Sequence, residues 1–299
     1  MPRRLVPGLV VCLCLVPAGL RAEAPEVKKP YFDSGGVKIH YVVQGKEGGE
    51  PVLLIHGFTT DIHLQWALVI KALEKDYRVI ALDCRGHGGS EKPHDPGKYG
   101  PEMVKDAIRL LDHLKIDRAH VVGYSMGAGL ALQIAARYPQ RVRTATLGGA
   151  GLPQPGRERL LEALADSLEQ GKGLGPLIVA LTPKDRPRPT AEQIKLIDTV
   201  LLARNDAKAL AAVLRGALNN KDLVPSEEQV KGIKVPMLAL IGEVDPLRPG
   251  VDELKKRLPG LKVVVIDKAD HITTFSREEF VNGLKEFLDA HRAAKKGSR

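Results

Sequence analysis

The chain has 299 residues, 43% hydrophobic and 27% charged, which suits one large α/β domain with an inserted subdomain or two small domains. These proportions exclude a disordered or fibrous chain, and with aromatics at 4% the core must rest on Val, Leu, Ile and Ala. The formal charge of +9 sits mostly at the two ends, in Arg3, Arg4 and Arg21 and in Arg292, Lys295, Lys296 and Arg299. With no aromatic-interleaved basic patch, nucleic acid is not an expected partner.

At the N-terminus, Arg3 and Arg4 precede an apolar stretch from Leu5 to Leu20 and an A-x-A-like site at Ala22 to Ala24, the pattern of an export signal over residues 1–24. The expected mature protein is secreted or periplasmic, with no stable membrane span after signal removal. A retained signal serving as a membrane anchor is the alternative. Cys12 and Cys14 fall in this segment, which leaves Cys84 alone after an apolar run, read as a small buried residue rather than a reactive thiol.

From Tyr31 onward the elements alternate. Tyr31–Ser34 and Val37–Val43 read as strands joined by a Ser-Gly-Gly turn. Strands at Val52–His56, Tyr77–Leu82, His120–Tyr124 and Val142–Leu147 are interleaved with helices near 62–74, 101–114 and 126–138. This predicts an α/β fold, a mostly parallel central sheet flanked by helices on both faces. Between Leu152 and Val230 the strand signal disappears. Leu-rich helical stretches take over, without any Phe, Tyr, Trp, His, Met or Cys, and predict an inserted all-helical cap over the C-terminal strand edge. Alternation resumes with Val235–Ile241, Gly250–Leu258, Leu261–Ile266 and Arg277–His291. The expected division is a core in two parts, 25–151 and 231–290, a cap over 152–230 and a basic tail over 291–299.

The stretch from His120 to Pro139 carries the chemistry. Gly123-Tyr124-Ser125-Met126-Gly127 fits G-x-S-x-G, in which a serine is thrust out on an abrupt strand-to-helix turn and glycines make room on either side. Ser125 is therefore the candidate nucleophile. The N–H of Met126, at the helix start, is a candidate donor to a tetrahedral oxyanion.

Further stretches accompany it in order: His56-Gly57-Phe58, Asp83 to Ser90 (DCRGHGGS), Gly242 to Pro246 (GEVDP) and Ala269-Asp270-His271. Together they resemble the α/β-hydrolase fold family over about Tyr31 to Leu288, in the capped group related to esterases, carbon–carbon bond hydrolases and cofactor-free perhydrolases. The resemblance implies Ser125, Asp245 and His271 as a catalytic triad, with Glu243 the weaker choice of acid, and Phe58 as the second oxyanion donor through its N–H. It implies that His56 and the DCRGHGGS loop shape the sheet edge rather than perform chemistry. Asp270 departs from the family, which commonly has Gly before the histidine; its carboxylate is expected either to raise the pKa of the base or to face solvent.

Phe58, Trp66 and Tyr124 are the expected aromatic contacts for substrate. No metal or cofactor motif is present. The expected activity is hydrolysis of small carboxylic esters or related acyl substrates. A carbon–carbon bond hydrolase or perhydrolase with the same triad, or a non-enzymatic ligand receptor on this fold, are the alternatives.

Overall fold

The computed structural model describes residues 30–293. The expected signal segment and most of the basic tail lie outside the described residues. Eight strands form one sheet: β1 (Tyr31–Asp33), β2 (Lys38–Gly45), β3 (Glu50–Ile55), β4 (Tyr77–Leu82), β5 (Ala119–Tyr124), β6 (Val142–Gly148), β7 (Met237–Gly242) and β8 (Lys262–Ile266). The order across the sheet is β1-β2-β4-β3-β5-β6-β7-β8. β2 runs antiparallel to both its neighbours, and every pairing from β4 to β8 is parallel.

The central parallel strands, β3 to β7, are mainly apolar and largely buried because both faces of the sheet are covered there, whereas the edge strand β8 is partly exposed. Along β3, Leu53 and Ile55 enter one core while Val52 and Leu54 enter the other, as the two-residue period of a strand requires. The first core is closed by α2 (Pro101–His113), α3 (Met126–Arg137) and α9 (Arg248–Arg257), and the second by α1 (Ile62–Leu73) and α10 (Glu278–Ala290). The expected mostly parallel sheet with helices on both faces is the fold observed.

The residues between β6 and β7 are wholly helical or irregular: α4 (Arg157–Glu169), α5 (Gly175–Ala180), α6 (Ala191–Leu202), α7 (Ala207–Leu218) and α8 (Glu227–Lys231). α4, α5 and α7 have their own small core of Leu164, Leu168, Leu174, Leu210 and Leu214. The insertion reaches the loops after the strands at four points. Arg204 pairs with Asp61, Asn205 donates to the Thr59 carbonyl, His94 contacts Asp206, and Arg186 pairs with Asp270. It therefore lies over the C-terminal edge of the sheet.

The expected cap boundary at Val230 cuts through α8. Val230 is fully buried in the first core, and the Gln133 side chain on α3 donates to the Leu223 carbonyl, so the end of the insertion packs on the body.

Candidate active site

The sharp turn at Ser125 follows from how closely α3 approaches the sheet. A Cβ at Gly123 would stand 1.9 Å from the Gly127 carbonyl oxygen, and one at Gly127 would stand 2.0 Å from the Ile55 carbonyl oxygen. Glycine at both positions lets the helix start directly against β5 and β3. Ser125 between them has φ 54° and ψ −112°, outside the comfortable region for an L-residue, and its N–H is held by the Gly148 carbonyl at 2.8 Å. The serine is half-buried rather than projecting freely into solvent.

Across the edge, the loops after β7 and β8 are tied together by the Val244 N–H donating to the Ala269 carbonyl. Asp245 and His271, both nearly fully buried, meet there. His271 Nδ1 lies 2.9 Å from Asp245 Oδ2, and Nε2 lies 3.0 Å from Ser125 Oγ. With the Nδ1 proton donated to the carboxylate, Nε2 accepts from the serine hydroxyl. Asp245 Oδ1 accepts from the Leu247 N–H, which fixes the carboxylate. Glu243 is exposed and caps the neighbouring turn through the Lys268 N–H. Of the two carboxylates, Asp245 is the one in contact with the histidine.

Among the described residues, neither the Phe58 nor the Met126 backbone N–H has a hydrogen-bond acceptor within the chain. Gly57, which precedes Phe58, lies against Ser125, since its Cβ would be 3.3 Å from that of the serine. Two free donors thus flank a hydroxyl that has a base and an oriented acid behind it. Such an arrangement can activate the oxygen for attack on a carbonyl and stabilise the charge that develops.

Two expected substrate contacts are corrected. Trp66 is fully buried in the second core, on the face of α1 that packs against the sheet. Tyr124 shares the face of Val122 on β5, so its ring packs against Phe275 and Phe280 and its hydroxyl donates to the His271 carbonyl at 2.7 Å. It supports the histidine loop from behind. Phe58 is half-buried and touches both the first core and the core of the insertion, so it stands at the junction of the two.

Asp270 does not face solvent. It is almost completely buried, and its carboxylate accepts from the Ile272 and Thr273 N–H groups, the Thr273 hydroxyl and Arg186. Burial acts to raise its pKa, but the bonds from Thr273 and Arg186 outweigh it and hold the carboxyl below the usual range.

The DCRGHGGS loop is built around Asp83, which accepts from His40 Nδ1 at 2.7 Å, the Gly89 N–H at 2.7 Å and the Ile62 N–H at 2.9 Å. Next to it, His56 Nε2 accepts from the Cys84 N–H while Nδ1 donates to the Gly57 carbonyl. Arg85 and Asp106 form a buried bidentate pair. Burial drives the His87 pKa down to about 3, and its neutral ring packs edge-on to Phe58. Cys84 is buried, with its thiol pushed well up by burial.

Burial also acts to raise the Asp83 pKa, yet its hydrogen bonds prevail and hold it at about 2. A carboxyl depressed on folding stabilises the protein above its unfolded pKa, and that contribution disappears as pH falls through the folded value. Asp83 is expected to contribute about 2 kcal/mol at neutral pH, lost between about pH 4 and pH 2. Urea unfolding of wild type and Asp83→Asn across this window checks it. The variant should be weaker at pH 7 and show a shallower loss on acidification, and parallel curves would assign the acid sensitivity elsewhere.

Residues of the insertion that reach the site loops, Arg186, Arg204 and Asn205, carry no motif. The one local signal nearby is Asp206, which caps α7 by accepting from the Lys208 and Ala209 N–H groups. Among the described residues no group of His, Cys, Asp and Glu could hold a metal ion, and no helix is long and apolar enough to cross a membrane.

The family model for the α/β hydrolase fold matches residues 50–174. A putative 2-succinyl-6-hydroxy-2,4-cyclohexadiene-1-carboxylate synthase of Bacillus subtilis (strain 168) is 31% identical over 252 residues, 80% of this chain and 89% of that protein. A 2-(acetamidomethylene)succinate hydrolase of Mesorhizobium japonicum is 28% identical over 284 residues, 89% of this chain and 99% of that protein. Among solved structures, the enol-lactonase from Burkholderia xenovorans LB400 superposes with a TM-score of 0.71 at 26% identity, over 87% of this chain and 100% of that one. The sheet order, the serine turn and these likenesses agree: the chain belongs to the α/β-hydrolase family and is a hydrolase of that fold.

Proposed function

We propose that the protein cleaves small carboxylic esters or related acyl compounds by way of an acyl-enzyme on Ser125. The observation that carries this reading is the hydrogen-bonded chain Ser125–His271–Asp245 beside two unpartnered N–H groups. In this reading His271 Nε2 takes the serine proton as Oγ attacks the acyl carbonyl, and Asp245 holds the ring and stabilises its charged form. The N–H groups of Phe58 and Met126 donate to the oxyanion. The protonated His271 then returns the proton to the leaving alkoxide, and a water activated by the same ring releases the acid. The similarity to an enol-lactonase supports an activated acyl oxygen ester as the substrate type. A panel of esters, lactones, amides and vinylogous diketones tests the reading with purified wild type and Ser125→Ala. Turnover of diketones alone would favour carbon–carbon bond cleavage, and ester turnover undiminished in Ser125→Ala would count against the acyl-enzyme.

Acyl preference follows from the walls. The insertion offers partly buried aliphatic side chains, Leu161, Leu177, Ile178, Leu201 and Leu202, packed against the same small core as Phe58, and neither Trp66 nor Tyr124 adds a ring. Each methylene buried there contributes about 0.8 kcal/mol. A benzoyl group forgoes most of the ~0.5–1.5 kcal/mol of paired rings. For one leaving group, kcat/KM is expected to rise from acetyl through butyryl to hexanoyl and to fall for benzoyl. Faster turnover of benzoyl than butyryl esters would refute this account of the walls.

A further inference from the structure

The loop that carries Phe58 is held almost entirely by its carbonyls. The Gly57 carbonyl accepts from His56 Nδ1 at 2.7 Å and from the Thr60 hydroxyl at 2.8 Å, and the Phe58 carbonyl accepts from the Thr59 hydroxyl at 2.6 Å. The next carbonyl, that of Thr59, is held from outside the loop: Asn205 Nδ2, in the turn between α6 and α7, donates to it at 2.9 Å and to the Leu201 carbonyl at 2.8 Å. Because both contacts of Nδ2 are carbonyl oxygens, the amide has one workable orientation. In that orientation Asn205 Oδ1 is buried without a partner among the described residues.

Thr59 is a β-branched residue at φ 64°, a conformation that persists only where the surroundings enforce it. Released, it relaxes toward negative φ and turns the Thr59–Thr60 peptide; the Thr60 hydroxyl and N–H hold the Gly57 carbonyl, which shares one planar peptide with the Phe58 N–H, so that N–H shifts with them. We propose that Asn205, supplied by the helical insertion, is a positioning residue for the oxyanion donor: its bond to the strained Thr59 peptide keeps the Phe58 N–H aimed at the developing charge. The inference rests on the acyl-transfer reading of Ser125. It makes the insertion part of the catalytic apparatus as well as a wall of the pocket.

The contact acts on the transition state more than on the bound ester, so its loss should appear in kcat. For Asn205→Ala, and for the isosteric Asn205→Asp that lacks the donor, kcat for a butyryl ester should fall roughly 10- to 30-fold while KM stays within about 2-fold. A trifluoromethyl ketone provides a second readout. On its addition the Ser125 Oγ–carbon bond forms, the carbonyl pair becomes an oxyanion and the serine proton passes to His271. Its affinity should fall by the same factor as kcat/KM.

Arg204→Ala is the control, because it removes the adjacent half-exposed ion pair to Asp61 without touching Thr59, and should stay within about 3-fold of wild type. Thermal melts of all variants accompany the kinetics, and Asn205→Asp keeps the test open if Asn205→Ala unfolds. Unchanged kcat in folded Asn205 variants would overturn this inference alone, as would equal losses in Arg204→Ala and Asn205→Ala. A wild type that neither turns over esters nor adds the ketone would overturn the acyl-transfer reading of Ser125 and this inference with it.

Discussion

Replacing Ser125 with alanine is expected to lower kcat for a preferred ester by about 10⁴-fold or more, with the protein still folded. The hydroxyl lies 3.0 Å from His271 Nε2, the ring nitrogen opposite the one that faces Asp245, so in the proposed reaction its removal takes away the nucleophile that His271 deprotonates. Alanine tolerates φ 54° no worse than serine, and the serine side chain is half-buried without a capping bond, so stability should change by less than about 1 kcal/mol. His271→Ala should cost a similar factor. Adding Ser125→Ala to it should cost little more, because residues acting as one unit are not additive. Steady-state kinetics with thermal melts on the three variants check this, and ester turnover undiminished in folded Ser125→Ala would remove the serine from the mechanism.

The largest expected effect on stability comes from Gly123→Ala. The new methyl meets the Gly127 carbonyl at 1.9 Å and the Ala128 nitrogen at 2.7 Å, both backbone atoms at the start of a buried helix. No rotamer change relieves such a contact, so α3 must move off β5 and out of the core it shares with β3 and β6. The expected loss is ~3–4 kcal/mol, at the upper end for overpacking. Any folded fraction should also lose activity, since moving α3 displaces both Ser125 and the Met126 N–H. Urea unfolding read by circular dichroism measures the first effect. A stability within about 1 kcal/mol of wild type would show that the helix can withdraw easily and that the tight turn is not fixed by packing.

These two glycines illustrate what sequence can disclose. G-x-S-x-G is legible because its spacing records a steric fact within five residues, and the parallel strands are legible because burial on both faces leaves continuous apolar runs. The residues brought to the sheet edge from 146 positions apart, Ser125 and His271, were legible through the order of their motifs along the chain.

The positions of Tyr124 and Trp66 differ from expectation for a different reason. Nearness to a motif says nothing about which face a side chain occupies, although the two-residue period already places Tyr124 with Val122. Asp270 depended on Arg186, 84 residues away, and no local pattern signals that contact. The end of the insertion was equally obscure, because α8 is a short helix whose single fully buried residue, Val230, reveals its allegiance only through α3 and α9. α6 is the extreme case. It is an apolar helix with no fully buried residue, so its sequence reads as core while its position is that of a cover.

The central claim is that Ser125 carries the acyl group during turnover. Rapid-quench mass spectrometry of wild-type protein mixed with a butyryl ester tests it most directly. A transient butyryl mass increment is expected on the peptide containing Ser125, formed with the burst of alcohol release and absent in Ser125→Ala. Ester turnover by wild type with the increment on another residue, or with no increment under conditions that show a burst, would contradict it.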